Sequence, residues 1–174
     1  MAQAVPIDPS KLIEAAEELA HHKTGAGRPR PVWLRRAVST AYYGLFHCIC
    51  LEAVRHMLPS GREEQQLLMA RTFGHAEIKE CCMWIDGRQG CSRRGVQRLV
   101  RELKSASIVS VAGSFCDLQE ARHQADYDHL AVFSKAATIA HIADARRSIG
   151  QVISAPPDER AAFFSLLALR AKLI

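Results

Sequence analysis

Val32-Trp33-Leu34-Arg35-Arg36-Ala37-Val38-Ser39-Thr40-Ala41-Tyr42-Tyr43-Gly44-Leu45-Phe46-His47 opens a segment that reads as one long helix from about Val32 to Met57. Leu34, Ala37, Val38, Ala41, Leu45, Ile49 and Ala53 recur at three- and four-residue steps, which keeps them on one helical face. A face apolar along such a length has to be covered by other elements, and Pro59-Ser60-Gly61 marks where the helix stops.

The flanking sequence supplies those elements as further helices. Asp8-Pro9 opens the first, with Asp8 as N-cap, Pro9 in the first turn, and Leu12, Ala15, Ala16 and Leu19 as its apolar stripe. Gly25-Ala26-Gly27-Arg28-Pro29-Arg30-Pro31 is a loop. Residues 63 to 85 read as one or two helical pieces around Gly74, and Asp86-Gly87-Arg88-Gln89-Gly90 as a turn. Gly95 to Lys104 forms a short helix with Val96, Leu99, Val100 and Leu103 inward. Two long helices follow at about 107 to 127 and 129 to 153, with Asp128 as boundary and cap. Pro156-Pro157-Asp158 starts a last helix carrying Phe163, Phe164, Leu166, Leu167 and Leu169. Nowhere do β-branched residues alternate with polar ones, so no strand is expected. The predicted fold is all-α, an up-and-down helical bundle of four to five main helices with short accessory helices. Residues 1–153 make the bundle, and 154–174 a C-terminal accessory helix packed on the same domain.

A chain of 174 residues that is 48% apolar suits a single domain with a well-formed core. The apolar runs are short and interrupted by charge, which argues against a membrane span, and the N-terminus has neither the positive nor the apolar region of a secretory signal. A cytoplasmic location follows as an expectation. The six cysteines, Cys48, Cys50, Cys81, Cys82, Cys91 and Cys116, form no Cys-x-x-Cys pair and read as buried or semi-buried free thiols. Cys81, Cys82, Cys91 and His75 lack any recognised zinc-ligand spacing, so no metal is expected.

The net charge is +5, and it is clustered. Arg88, Arg93, Arg94, Arg98, Arg101 and Lys104 face only Glu102 between residues 88 and 104, while Arg28, Arg30, Arg35 and Arg36 form a second group. Such clusters suit a polyanionic partner and suit a solvated face equally well.

Glu120-Ala121-Arg122-His123-Gln124-Ala125-Asp126-Tyr127-Asp128-His129 sets an arginine and a histidine seven residues apart. On a continuous helix that spacing is almost two turns and puts both on one face. Arginine offers a permanently charged fork for phosphate oxygens, and histidine exchanges protons near neutrality. If Asp128 breaks the helix, the two groups meet across a junction instead. A plainer alternative is a surface helix with an Arg122–Asp126 pair at i,i+4 and a solvated His129.

Together, Arg35-x-Ala37-x-Ser39-x-Ala41-Tyr42-Tyr43-x-x-Phe46-His47 and Arg122-His123-Gln124-Ala125-Asp126-Tyr127-Asp128-His129 resemble the two signatures of the HEPN-domain superfamily, small helical bundles, in the family's order and over roughly residues 8 to 153. The resemblance implies a bundle fold and a metal-independent endoribonuclease acting as a homodimer. In such a composite design two chains bring two Arg–His sets into one groove. His129 of each chain then serves as base or acid and Arg122 stabilises the transition state, with His123 and Asp126 as weaker candidates and Arg94, Arg98 and Arg101 as RNA-binding residues. Some HEPN toxins carry a tyrosine just after the motif histidine, modified by a partner nucleotidyltransferase. Here Leu130, Ala131 and Val132 follow His129, which puts that regulation in doubt.

Tyr42, Tyr43 and His47 read as core packing, and Ser39 and Thr40 as helix-packing hydroxyls. The sequence has no Gly-rich phosphate loop, dinucleotide fingerprint or His-Glu-x-x-His motif, and no cofactor is expected. Three functions remain open: a dimeric ribonuclease in a toxin–antitoxin or defence role; a non-catalytic module that docks on a nucleotidyltransferase or binds a nucleotide; and a purely structural helical dimer.

Overall fold

The structure, a computed structural model, describes residues 7–23, 27, 30–103 and 106–170. Among these the chain forms eight helices and no strand: α1 (Pro9–His21), α2 (Pro31–Met57), α3 (Glu63–Ala70), α4 (His75–Ile85), α5 (Arg94–Glu102), α6 (Ala106–Tyr127), α7 (Lys135–Ser154) and α8 (Pro157–Arg170). The fold is an all-α helical bundle. The Gly25–Pro31 loop of the sequence reading, apart from Gly27, Arg30 and Pro31, lies outside the described residues, as do Lys104, Ser105 and residues 1–6 and 171–174.

Helix α2 is the centre of the bundle, touching α1, α3, α6, α7 and α8. The seven residues of its apolar stripe are all buried, and so are Tyr42, Phe46, Cys48, Cys50 and Val54 on its other faces. A helix surrounded on several sides needs apolar residues on several sides. Short, charge-interrupted apolar runs argue against a membrane span, yet α2 has the length and composition to cross one. It spends that surface internally: 78% of its most apolar window is buried within the protein.

Asp8 caps α1 as expected, its Oδ1 accepting from the backbone N–H of Ser10 at 2.9 Å. At Gly44 the two helices come so close that an added Cβ would lie 2.9 Å from Ile13 Cδ1 and 3.3 Å from the Pro9 carbonyl oxygen. A larger residue there would push α1 off α2.

Gly74 separates α3 from α4, which packs on α6 and α8. The turn after α4 contains Gly87, whose φ of 80° lies in the left-handed region that favours glycine. Helix α8 buries Phe163, Phe164, Leu166 and Leu167 in the same core cluster as Ile13, Ile49 and Phe115. Each such side chain contributes about 1.5–3 kcal/mol of burial, so α8 belongs to the main core energetically.

One boundary differs from the sequence reading. The helix expected to start at His129 begins at Lys135, where the Ser134 side chain caps it by accepting from the Ala137 N–H at 3.1 Å. Asp128 caps no helix. Its Oδ1 accepts from the Leu130 N–H at 2.8 Å and closes a turn.

Candidate functional site

Four polar residues of α2, Arg35, Ser39, Tyr43 and His47, follow one another at four-residue steps and form a stripe along the helix. Three of them engage α6 or the turn after it. Arg35 donates from Nε to the Ala125 carbonyl at 2.7 Å, from Nη1 to Ala131 at 2.9 Å, and from Nη2 to Asp128 at 2.7 Å and Gln124 at 3.3 Å. The last carbonyls of a helix have no partner within it and carry the negative end of its dipole, so a guanidinium fits there twice over. Ser39 Oγ donates to Asp126 Oδ1 at 2.6 Å, and Arg122 Nη2 donates to the Tyr43 hydroxyl at 2.9 Å.

Arg122 is thereby held from two helices. Its Nε lies 2.8 Å from Asp126 Oδ2, four residues along α6, in an ionic contact whose N–H is not aligned for a hydrogen bond. Its guanidinium carbon sits 5.5 Å from the ring centroids of both Tyr43 and Tyr127. Burial opposes its charge, but the Tyr43 hydroxyl and Asp126 more than offset that, so its pKa is held above the usual value.

Beside this arginine lies a group of rings. His75, the first residue of α4, stacks on Phe46 at 3.8 Å between centroids, and its Nδ1 is 2.7 Å from the Tyr42 hydroxyl. The Tyr43 ring meets His75 edge-on at 5.8 Å and stacks with His47 at 6.3 Å. Gln119 of α6 donates to the His75 carbonyl at 3.3 Å, while its own Oε1 is buried without a partner among the described residues. Burial lowers the pKa of both imidazoles; at His75, Arg122 and His47 push it further down and Glu77 opposes. Both rings are therefore neutral near pH 7.

The residues anticipated from sequence divide between two settings. Arg122 and Asp126 come together with Ser39 and Tyr43. His123 is exposed, its ring 4.9 Å from that of Tyr127. His129 is exposed in the turn beyond the end of α6, so it shares no helical face with Arg122 and starts no helix. Tyr42 is core, as read from sequence, but Tyr43 and His47 are only half-buried and line the cluster. Its spacing offers His75 only as a zinc ligand beside Cys81, Cys82 and Cys91, whereas the fold engages it with Tyr42 and Phe46. Nothing in its local spacing marks it, because it joins the site through the packing of α4 on α6.

The two basic groups also divide. Arg94, Arg98 and Arg101 are exposed on α5, with Arg98 Nε 3.6 Å from Glu102. Arg88 is held instead by Asp86 and Asp117, each at 2.8 Å. Arg35 is consumed in capping α6, Arg30 and Arg36 are exposed, and Arg28 and Lys104 lie outside the described residues. A scan against protein-family models finds no matching family, and searches of curated proteins and of solved structures find no match either.

Proposed function

We propose that this chain is a HEPN-type, metal-independent endoribonuclease that works as a cytoplasmic homodimer in a toxin or defence role. The observation that carries the reading is the Arg35 clamp. By holding the carbonyls of Asp128 and Ala131, it fixes the turn bearing His129 against the same end of α6 that carries Arg122. His129 is exposed and free to meet a substrate, and Tyr127, Leu130 and Val132 beside it are exposed apolar side chains suited to a second copy. A dimer would set two imidazoles and two guanidinium groups along one groove.

Cleavage then proceeds by internal displacement. One His129 takes the proton of a ribose 2′-hydroxyl, and that oxygen attacks the adjacent phosphorus. Arg122 balances the charge on the phosphorane. The bond to the 5′-oxygen breaks, and the second His129 returns a proton to it, leaving a 2′,3′-cyclic phosphate and a 5′-hydroxyl. Asp126 orients Arg122, His123 borders the groove, and Arg94, Arg98 and Arg101 hold RNA phosphates.

One observation favours a second reading, a non-catalytic module that binds a nucleotide or docks on a nucleotidyltransferase or antitoxin. Arg122 is already paired with Asp126 and Tyr43 inside the chain. Incubation of the purified protein with total RNA in the presence of a chelator separates the two. Cutting that is lost in both Arg122→Ala and His129→Ala, with folding intact, supports the enzyme. No cutting by the wild type, or cutting retained in both variants, rejects it.

A further inference from the structure

We propose that Arg122, Tyr43, His75 and His47 form an oxyanion site within a single chain, one that takes a phosphate group at the junction of α2, α4 and α6. It shares Arg122 with the nuclease reading but needs neither His129 nor a second protomer.

The argument begins with Tyr42, whose side chain is almost wholly buried and whose hydroxyl has His75 Nδ1 as its hydrogen-bond partner at 2.7 Å. A buried hydroxyl proton has to be donated, and Nδ1 is the available acceptor. The neutral His75 ring therefore carries its proton on Nε2, on the edge away from Tyr42, as a hydrogen-bond donor. Arg122 and His75 flank the same Tyr43 ring, with the guanidinium carbon and the imidazole centroid 5.5 and 5.8 Å from its centre. His47 stacks with that ring as well.

Beside these rings Gln119 Oε1 is buried without a hydrogen-bond partner among the described residues, and Arg122 Nε has only its unaligned ionic contact with Asp126. A buried polar atom without a hydrogen bond costs stability, and a bound group with both acceptor and donor oxygens lowers that cost. A phosphate meets the requirement. Its unprotonated oxygens accept from Arg122 and from His75 Nε2, and its second proton, with a pKa near 6, titrates in the range of the imidazoles. The groups facing His75 are Tyr42, Tyr43 and His47 from α2, Arg122 and Gln119 from α6 and Glu77 from its own helix, of which only Glu77 is acidic. The rings around it, Phe46, Tyr42 and Tyr43, keep the imidazole in place, and a fixed donor binds at lower entropic cost than a mobile one.

The test is a titration of the wild-type full chain with inorganic phosphate, read through the ¹⁵N resonances of the imidazoles. The site predicts saturable shifts at His75 and His47 and an upward move of the His75 pKa, because a bound anion favours the imidazolium. Arg122→Gln should weaken phosphate by about tenfold and Tyr43→Phe by about threefold. Resonances of His75 and His47 that stay fixed while phosphate is raised overturn the proposal. A nucleoside monophosphate and a short oligoribonucleotide then identify the source of the phosphate. Tighter binding of the mononucleotide with no further gain from the oligomer assigns a free nucleotide, and a further gain from an oligomer carrying a 5′-phosphate assigns the phosphorylated end of an RNA strand. Phosphate at His75 without RNA cutting upholds this site and rejects the nuclease reading; RNA cutting with His75 unmoved by phosphate does the reverse.

Discussion

Nη2 of Arg35, near the start of α2, lies 2.7 Å from the backbone carbonyl oxygen of Asp128, the residue just past the end of α6. The same guanidinium reaches Ala125 and Ala131, so one side chain satisfies both a terminal carbonyl of the helix and the turn that follows it. Hydrogen bonds to a charged group contribute more than neutral ones, although water can replace part of these at a surface. Arg35→Ala should lower unfolding stability by about 2–3 kcal/mol, and Arg35→Lys should recover less than half, since an ammonium lacks the planar fork. Amide hydrogen exchange in residues 128 to 134 should accelerate well beyond the rest of the chain. Unchanged exchange there would show that the turn holds its shape without the clamp.

Tyr43 and Arg122 should prove energetically coupled. Tyr43→Phe keeps the ring beneath the guanidinium but removes the hydroxyl that accepts from Nη2. The cost should be about 0.5–1.5 kcal/mol in the wild type and near zero when Arg122 is already glutamine. A double-mutant cycle measured by urea unfolding gives the coupling directly. Additive losses would mean that the 2.9 Å contact contributes nothing.

Part of this arrangement was legible in the chain, where it depends on helical periodicity. The apolar stripe of α2 marks one buried face, but Tyr42, Phe46 and Cys50 are buried on others. The meeting of Arg35, Ser39 and Tyr43 with α6 is not readable from their four-residue step, which suits core packing equally well. The i,i+4 pairing of Arg122 with Asp126 follows from the same geometry. What periodicity cannot carry is the end of α6. Its last carbonyls are claimed by a side chain some ninety residues away, and the next helix waits for the cap at Ser134. His75 escaped for a related reason. Its partners Tyr42, Phe46 and Gln119 come from two other helices, and no spacing within α4 announces them.

Stability should fall with acidification through the histidine range. His47, His75 and His141 are each held below the ordinary pKa of 6.5, burial being the first cause in every case. At His141 the carboxylates of Asp144 and Asp117 oppose it. A lowered histidine pKa means the unfolded chain binds more protons, so stability is complete above about pH 6.5 and is lost as pH falls toward the folded-state values. Urea midpoints compared at pH 7.5 and 5.5 should show the drop, and His47→Asn combined with His75→Asn should flatten it. A midpoint that rises on acidification over this interval contradicts the assignment of neutral, buried rings.

The thiols should differ sharply in reactivity. Burial pushes Cys48, Cys50 and Cys81 up to about 12 and Cys116 to about 11, with Cys82 raised well above the ordinary value. The reactive species is the thiolate, so these five should resist an aromatic disulfide reagent at pH 8 in the folded protein. Cys91, half-buried, should react first, giving about one fast equivalent, and all six should react after unfolding. Fast reaction of Cys81 or Cys82, followed by peptide mapping, would show that the α4–α8 contact opens readily.

The exposed face of α5 gives the most direct test of whether the chain meets a polyanion at all. Arg94, Arg98 and Arg101 are exposed, and among the described residues Glu102 forms an ion pair with Arg98 alone, at 3.6 Å from its Nε. Exposed ion pairs of this kind contribute little and leave the guanidinium free to exchange partners. If these side chains contact RNA phosphates, each releases condensed counterions on binding, and the logarithm of the affinity falls linearly with the logarithm of salt concentration. Replacing all three by glutamine should flatten that slope by about two units for single-stranded RNA and weaken binding at low salt without altering the fold. The substitutions sit far from the ring cluster in sequence and on a helix that packs chiefly against α8, so phosphate shifts at His75 should persist. An unchanged slope assigns the α5 arginines to solvation and moves the search for an RNA track to Arg30 and Arg36, exposed at the opening of α2.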